Sequence, residues 1–186
     1  MFQVLVGLSF ILAILSIYMF AAAAYYKHKS ERDGLTGAYN KSWFMGENSS
    51  KLVRRMQAVN KEKSYPFGLI MIDMDNFKQV NDSRGHLYGD LLIKQTADAI
   101  RLAVGDGIVA RIGGDEFAVI VNNMGSSEMV SKIILRIEQN VLYFTAGSVS
   151  AGGVRYAKNM PVSVEALMGV ADKSMYERKR AKKGKI

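Results

Sequence analysis

Apolar residues fall along this chain in two regimes. From Phe2 to Tyr26 there is no charged residue, and only Gln3, Ser9 and Ser16 are strongly polar. At about 1.5 Å rise per residue, a helix of that length reaches across a ~30 Å hydrocarbon core. Charge begins directly afterwards, with Lys27, Lys29, Glu31 and Arg32. Beyond Asp33 the pattern changes: short apolar runs and amphipathic stretches alternate, separated by glycine-bearing turns, as in a compact domain.

Within that second regime several elements can be placed. Asn40 is a candidate N-cap for a helix running to about Asn60, with Trp43, Phe44, Leu52, Val53 and Met56 as its apolar side. Phe67 to Met74 is nearly all apolar and short, which suits a central strand buried on both faces. A helix is expected from about Tyr88 to Val104, facing inward through Leu91, Leu92, Ile100 and Ala103. The runs Ile108-Val109-Ala110 and Phe117 to Val121 flank two glycines and read as a tight hairpin, with glycine supplying a positive φ at the turn. Ser127 to about Gln139 is amphipathic, through Met129, Val130, Ile133, Ile134 and Ile137. Leu142 to Arg155 suits one or two strands, and Val164 to about Ala181 a last helix with Leu167, Val170, Met175 and Tyr176. Strands dispersed among helices point to an α+β fold with one central sheet.

The first regime has two readings. A secretory signal peptide would make Ala21 to Ala24 a cleavage site, but residues 2–10 hold no Lys or Arg, and the apolar run is long for such a segment. A transmembrane helix fits better, and the positive-inside rule puts the Lys27, Lys29 and Arg32 side in the cytoplasm. The chain is thus divided into an anchor over 1–27, a connector over 28–32 and a domain over 33–186. The expected location is a membrane, single-pass, with the domain cytoplasmic and no sensory segment ahead of the anchor.

Composition narrows the chemistry. The absence of cysteine removes disulfides, thiolate metal sites and a cysteine nucleophile. The net charge is +8, concentrated towards the end in Arg178, Lys179, Arg180, Lys182, Lys183 and Lys185. Such a run suits phosphate groups or anionic lipid. No aromatic-interleaved basic groove marks a nucleic-acid binder.

Acids stand where strands end. The hairpin turn in Arg111-Ile112-Gly113-Gly114-Asp115-Glu116-Phe117 carries two adjacent carboxylates, well placed to hold Mg²⁺ and through it a nucleotide triphosphate. The buried strand delivers Asp73 and Asp75 at its end. They share a face if the strand runs through both; if a turn starts at Met74, only one can face a metal. Asn81 and Asp90 are complementary to guanine: an amide can meet purine acceptors, and a carboxylate accepts from N1–H and the exocyclic amine, a donor pair adenine lacks. His86, alone between glycines, reads as structural.

These motifs, taken in order, resemble the GGDEF domain, the catalytic domain of diguanylate cyclases. Asp33 to Lys41 is similar to the family's D-x-L-T-G-x-x-N-R opening. Asp73 to Asp90 resembles its D-x-D-x-F-K-x-x-N-D…G-H-x-x-G-D block, and Arg111 to Phe117 its R-x-G-G-D-E-F signature. Ser150-Ala151-Gly152 and Ala171 to Tyr176 resemble later elements. The resemblance covers essentially all of 33–186. It implies a polymerase-palm or nucleotidyl-cyclase-like central sheet flanked by helices. The implied reaction condenses two GTP into cyclic di-GMP with release of two pyrophosphates. A homodimer is implied, each subunit holding one GTP, with two Mg²⁺ (or Mn²⁺) per site. By position it implies metal ligation by Asp73, Asp115, Glu116 and the Met74 carbonyl, with Glu116 as ligand or base. Phe77 and Lys78 match a phosphate-contacting turn, Asn81 and Asp90 guanine contacts, and Lys179 a γ-phosphate contact. Lys183 replaces a frequent Arg there, keeping charge but losing bidentate geometry.

One departure bears on regulation. Where many members carry an R-x-x-D product-inhibition site, this chain has Val104-Gly105-Asp106-Gly107, and both charged anchors are missing. The other function considered is a degenerate module acting as nucleotide sensor or membrane scaffold. The intact signature argues against it. The helix is also expected to aid dimerisation or to meet a separate membrane partner.

Overall fold

In a computed structural model of the chain, two compact units separate at Arg32: residues 1–32 and residues 33–186. The structure describes residues 2–47, 50–51, 66–156 and 163–183, with the side chains of 2–10, Ala24, His28 and Lys183 outside that description. The first unit is one helix, α1 (Phe2–Ser30). Among the described residues, no helix is long and apolar enough to cross a membrane. The run expected to span begins at Phe2, and so lies partly among the side chains that are not described.

The second unit is a five-stranded sheet carrying helices on both faces. In chain order its elements are β1 (Tyr39–Asn40), α2 (Lys41–Met45), β2 (Gly68–Met74), α3 (Phe77–Arg84), α4 (His86–Val104), β3 (Ile108–Arg111), β4 (Glu116–Val121), α5 (Ser127–Thr145), β5 (Val149–Arg155) and α6 (Val164–Lys183). The strand order is β1-β3-β4-β2-β5. β1 runs parallel to β3, and every other pair is antiparallel. The α+β expectation is met, as a mixed central sheet flanked by helices.

Period-two alternation sorts β2 between two cores. Ile70 and Ile72 face Phe117, Val119 and the inward residues of α4 and α5, among them Leu92, Ile100, Ile134 and Ile137. Leu69 and Met71 face Ala118 and Ile120 and are covered by α6, through Val164, Leu167, Ala171 and Met175. β2 is therefore buried on both sides, as its unbroken apolar run predicts. The seat of α6 depends on Gly152 in β5: a Cβ there would stand 1.9 Å from the Met175 backbone nitrogen.

Several expectations change. Asn40 does cap a helix, its side chain accepting from the Trp43 N–H, but α2 ends at Met45, against Gly46. The continuation to Asn60, with Leu52, Val53 and Met56, lies outside the described residues. α5 runs to Thr145 rather than Gln139, so the strand expected from Leu142 starts only at Val149. Val141 continues the stripe of Val130, Ile134 and Ile137, and that buried face carries the helix onward. β1 and α3 are additional elements. Leu91, Met129, Val170 and Tyr176 face solvent rather than the core.

Candidate active site

The acids of the signature meet the end of β2 because of strand register. Asp73 is the Cα partner of Glu116 on β4 and of Ser150 on β5. The Met74 N–H donates to the Asp115 carbonyl at 3.2 Å, tying the hairpin tip to the last residue of β2. Asp73, Asp115 and Glu116 are all half-buried, with Met74 enclosed behind them.

The hairpin turn is closed differently from the expectation. Neither Gly113 nor Gly114 has a positive φ. The Ile112 and Gly113 N–H groups both donate to the Glu116 carbonyl, at 2.9 and 3.3 Å. Gly113 provides room instead: a Cβ there would come within 2.4 Å of Glu116 Oε2. Arg111 secures the tip, donating from Nη2 and Nε to the Gly114 carbonyl at 2.7 and 3.2 Å. From Nη1 it reaches Asp33 Oδ1 and Oδ2 at 3.2 and 3.3 Å. Asp33 also accepts from Thr36 N–H at 2.9 Å and Oγ1 at 2.7 Å. Burial pushes the Asp33 carboxyl upward, but the Thr36 hydrogen bonds and the Arg111 charge outweigh it and hold it below the ordinary range. The opening D-x-L-T-G motif thus braces the signature, a coupling that reading the two motifs separately missed.

The two acids of the D-x-D pair part company. β2 stops at Met74. Asp73 faces the site and pairs with Lys179 of α6. Asp75 turns to β5, accepting from Ser150 Oγ at 2.7 Å and Ser148 Oγ at 2.9 Å. The strand neither runs through Asp75 nor yields to a turn at Met74: Met74 still pairs with Val149, and the turn begins at Asp75, so that of the two acids only Asp73 faces the site.

Phe77 and Lys78 occupy the first turn of α3 rather than a loop. Asn76 precedes them in the left-handed region (φ 57°) and gives no side-chain cap, so the leading N–H groups of α3 point outward without one. On α3 Asn81 lies over Gly89 of α4, its Oδ1 buried and without a hydrogen-bond partner. Asp90 is the next residue of α4 and is exposed. His86, first in α4, is exposed as well.

On α6, Arg178 pairs with Glu138 of α5 at 3.2 Å. Lys182 donates to the Val149 carbonyl at 2.6 Å and to Glu138 at 3.1 Å. Lys183 closes the helix, and its side chain is outside the described residues.

The donor set here is hard oxygen only, which suits Mg²⁺ or Mn²⁺. Two observations favour a cation: Asp73 and Glu116 stand on opposed register positions, and Asp73 already draws an ammonium group to itself. Among the described residues, no three acidic or histidine side chains converge closely enough to hold a metal by themselves. The Met74 carbonyl and nucleotide phosphates would have to complete any such shell.

A mixed five-stranded sheet that pairs an acid at the end of β2 with one on β4, against a basic helix, is an arrangement suited to a cation and a phosphate-bearing ligand. Residues 30–185 match the family described as "Diguanylate cyclase, GGDEF domain". This chain belongs to the GGDEF family. It is 33% identical over 151 residues to the diguanylate cyclase DgcS of Shewanella oneidensis, covering 79% of this chain and 49% of that protein. It is 28% identical over 187 residues to the probable diguanylate cyclase DgcT of Escherichia coli, covering 95% of this chain and 39% of the relative. The chain thus spans about two-fifths to a half of these relatives' length. Its fold is shared with the coiled coil and GGDEF domain of DgcB from Caulobacter crescentus, solved with c-di-GMP, at a TM-score of 0.76 and 24% identity, covering 91% of each chain.

Proposed function

We propose that this chain is a diguanylate cyclase that condenses two GTP into cyclic di-GMP and two pyrophosphates. The observation that carries the reading is the pairing of Asp73 with Glu116 across β2 and β4, beside Lys179. GTP would lie with its guanine at α3 and α4, where Asn81 Nδ2 donates to a purine acceptor and the Asp90 carboxylate accepts from N1–H and the exocyclic amine. Its phosphates would reach the uncapped start of α3 at Phe77 and Lys78, with Lys179 and Lys183 as counter-charge.

Asp73, Asp115, Glu116 and the Met74 carbonyl would hold two divalent ions, Mg²⁺ or Mn²⁺. When bound, these supply Lewis-acid polarisation of the phosphates and a lowered pKa for the attacking hydroxyl. Lys179, freed from Asp73, neutralises charge on the pyrophosphate leaving group. Glu116 serves as ligand or as acceptor of the 3′-hydroxyl proton.

Ring closure needs two such sites face to face, each 3′-hydroxyl attacking the α-phosphorus of the other GTP, so the working unit is a homodimer. The membrane tether through the apolar run of 2–26, with the domain on the cytoplasmic side, belongs to this proposal, as does a membrane regulatory partner. Purified full-length chain incubated with GTP and Mg²⁺ is expected to form cyclic di-GMP. Glu116→Gln is expected to abolish that while leaving the folded dimer intact. A folded, dimeric wild type that yields no product would refute the assignment. Recovery in the soluble fraction without detergent would refute the tether.

A further inference from the structure

Asp75 has no part in the metal or nucleotide contacts described above, yet it is among the most fully engaged acids in the domain. Oδ1 accepts from Ser150 Oγ at 2.7 Å and Oδ2 from Ser148 Oγ at 2.9 Å. Its N–H donates to the Ser148 carbonyl at 2.9 Å. Lys182 Nζ lies 3.9 Å from Oδ2, and the Asp75 side chain is 14% exposed. The residue stands where the end of β2, the start of β5 and the basic face of α6 converge.

Two groups that face the phosphates depend on this point. The first is the start of α3. Asn76, the next residue, is in the left-handed region and gives the helix no side-chain cap. What fixes the direction in which the Phe77 and Lys78 N–H groups leave the sheet is therefore the peptide before it. That peptide is held to β5 by a carboxylate with a hydroxyl on each oxygen, bonds stronger than neutral ones. The second group is Lys179. Lys182 lies three residues further along α6, on the same side of the helix. Its contacts with the Val149 carbonyl, Glu138 and Asp75 set the rotation of α6 about its axis, and so the aim of Lys179 at Asp73.

We propose that Asp75 is a positioning residue for the triphosphate: through Ser148 and Ser150 it aims the first turn of α3, and through Lys182 it aims Lys179. It is not a metal ligand, since both its oxygens are turned to β5. The ligand named here rests on the cyclase reading; the geometry does not.

The test compares full-length wild type with Asp75→Ala, Asp75→Asn and Ser150→Ala. GTP KM, kcat and Mg²⁺ half-saturation are measured, together with hydrogen exchange of the peptide spanning 75–80 without nucleotide. Losing charge-assisted bonds of this kind corresponds to roughly a tenfold to hundredfold effect. Asp75→Ala is therefore expected to raise GTP KM about tenfold or more, with kcat and Mg²⁺ half-saturation within about threefold of wild type. Exchange at the hydrogen-bonded amides of Asp75 and Val80 should quicken by about tenfold or more. Asp75→Asn can still bond both serine hydroxyls, through one oxygen and one N–H, and should restore most of the exchange protection and part of the KM. Ser150→Ala should move KM and exchange in the same direction as Asp75→Ala.

An unchanged KM would overturn the proposal. A Mg²⁺ half-saturation that shifts more than KM would also do so, by making Asp75 a ligand. A kcat loss with normal KM and normal exchange would leave only a structural role. If wild type makes no cyclic di-GMP, the cyclase reading fails, and the exchange arm alone decides the positioning role. If Asp75→Ala does not fold, Asp75→Asn and Ser150→Ala decide it.

Discussion

Replacing Asp33 with Asn tests whether the start of the domain holds the signature in place. In the structure the Asp33 carboxylate takes four hydrogen bonds, two from Thr36 and two from Arg111. The Arg111 and Asp33 side chains are 16% and 21% exposed, so the pair is neither dry nor freely solvated. Hydrogen bonds to charged groups are worth about 1.5–3 kcal/mol, and partial exposure pulls this pair toward the lower part of that range. Asn retains an acceptor for Thr36 but lacks the charge that Arg111 faces, so a loss of about 2 kcal/mol is expected. For a domain of this size that is a fall in Tm of about 4–8 °C.

The pH dependence has a definite sign. Asp33 has a folded pKa below its ordinary value of 3.8. Its contribution is therefore fully present above that value and is lost as pH falls through the folded pKa. The gap in Tm between wild type and Asp33→Asn should stay constant from neutral pH down to about 5 and close below 3.8. Thermal unfolding followed by circular dichroism, at a series of pH values, reads both quantities. A double-mutant cycle with Arg111→Ala should show a coupling of about 1 kcal/mol. Equal Tm values at neutral pH, or a gap that persists undiminished in acid, would refute the clamp.

Gly152→Ala should destabilise the domain by about 3 kcal/mol or more, because the added Cβ would meet the backbone of α6 at 1.9 Å and a backbone cannot rotate aside; a melting temperature within 1 °C of wild type, on an expectation of roughly 6 °C or more, would count against that packing. Asp90→Asn keeps only one of the two acceptor oxygens that guanine's N1–H and exocyclic amine need and turns an N–H₂ donor toward them, and should raise GTP KM by about tenfold or more, whereas an unaltered KM in a competition of GTP with ATP would place guanine elsewhere. Val104 is buried, Gly105 turns the chain at φ 58°, and Asp106 points to solvent without a basic neighbour in this turn. Titrating cyclic di-GMP into the cyclase assay should thus give no inhibition that depends on residues 104–107, and inhibition abolished by Asp106→Ala would show the reverse.

What could be read from the sequence, and what could not, follows from how local each signal is. β2 announces itself because a strand buried on both faces must be apolar at every position, and Gly68 to Met74 nearly is. The pairing of Asp73 with Glu116 could be anticipated in part, since a buried strand ending in acid must lie beside another strand bearing the signature. β1 has two residues, too few to show a period. α3 has no buried residue, so no apolar stripe marks it, and its start carries no capping side chain. α5 outruns its expected end because Leu142, Tyr143 and Phe144 look strand-like in sequence; all three are exposed, and Val141 alone carries the helix's buried face past Gln139. The ties from Arg111 to Asp33 and from Asp75 to Ser150 join residues 78 and 75 positions apart, and no local pattern encodes such a partner.

Those distant ties explain why the family's scattered motifs work as one object. The signature alone is a turn with two acids. Its tip is held by Arg111, which is itself held by Asp33, so the opening motif sets where Asp115 and Glu116 lie. On the other side of β2, Ser148 and Ser150 hold Asp75, and Lys182 and Arg178 hold α6 against Glu138. Asp73 stands between these two braces, opposite Glu116 and against Lys179. Charge opposed across a half-buried site would destabilise a loose frame, because acids brought together repel one another. Bracing from both flanks fixes Asp73 opposite Glu116, with Asp115 tied to the end of β2 beside them. Losing the Asp33 brace should therefore lower stability, as worked above, whereas losing the Asp75 brace should act on the start of α3 and on Lys179, the effect that the exchange and KM measurements on Asp75 variants read.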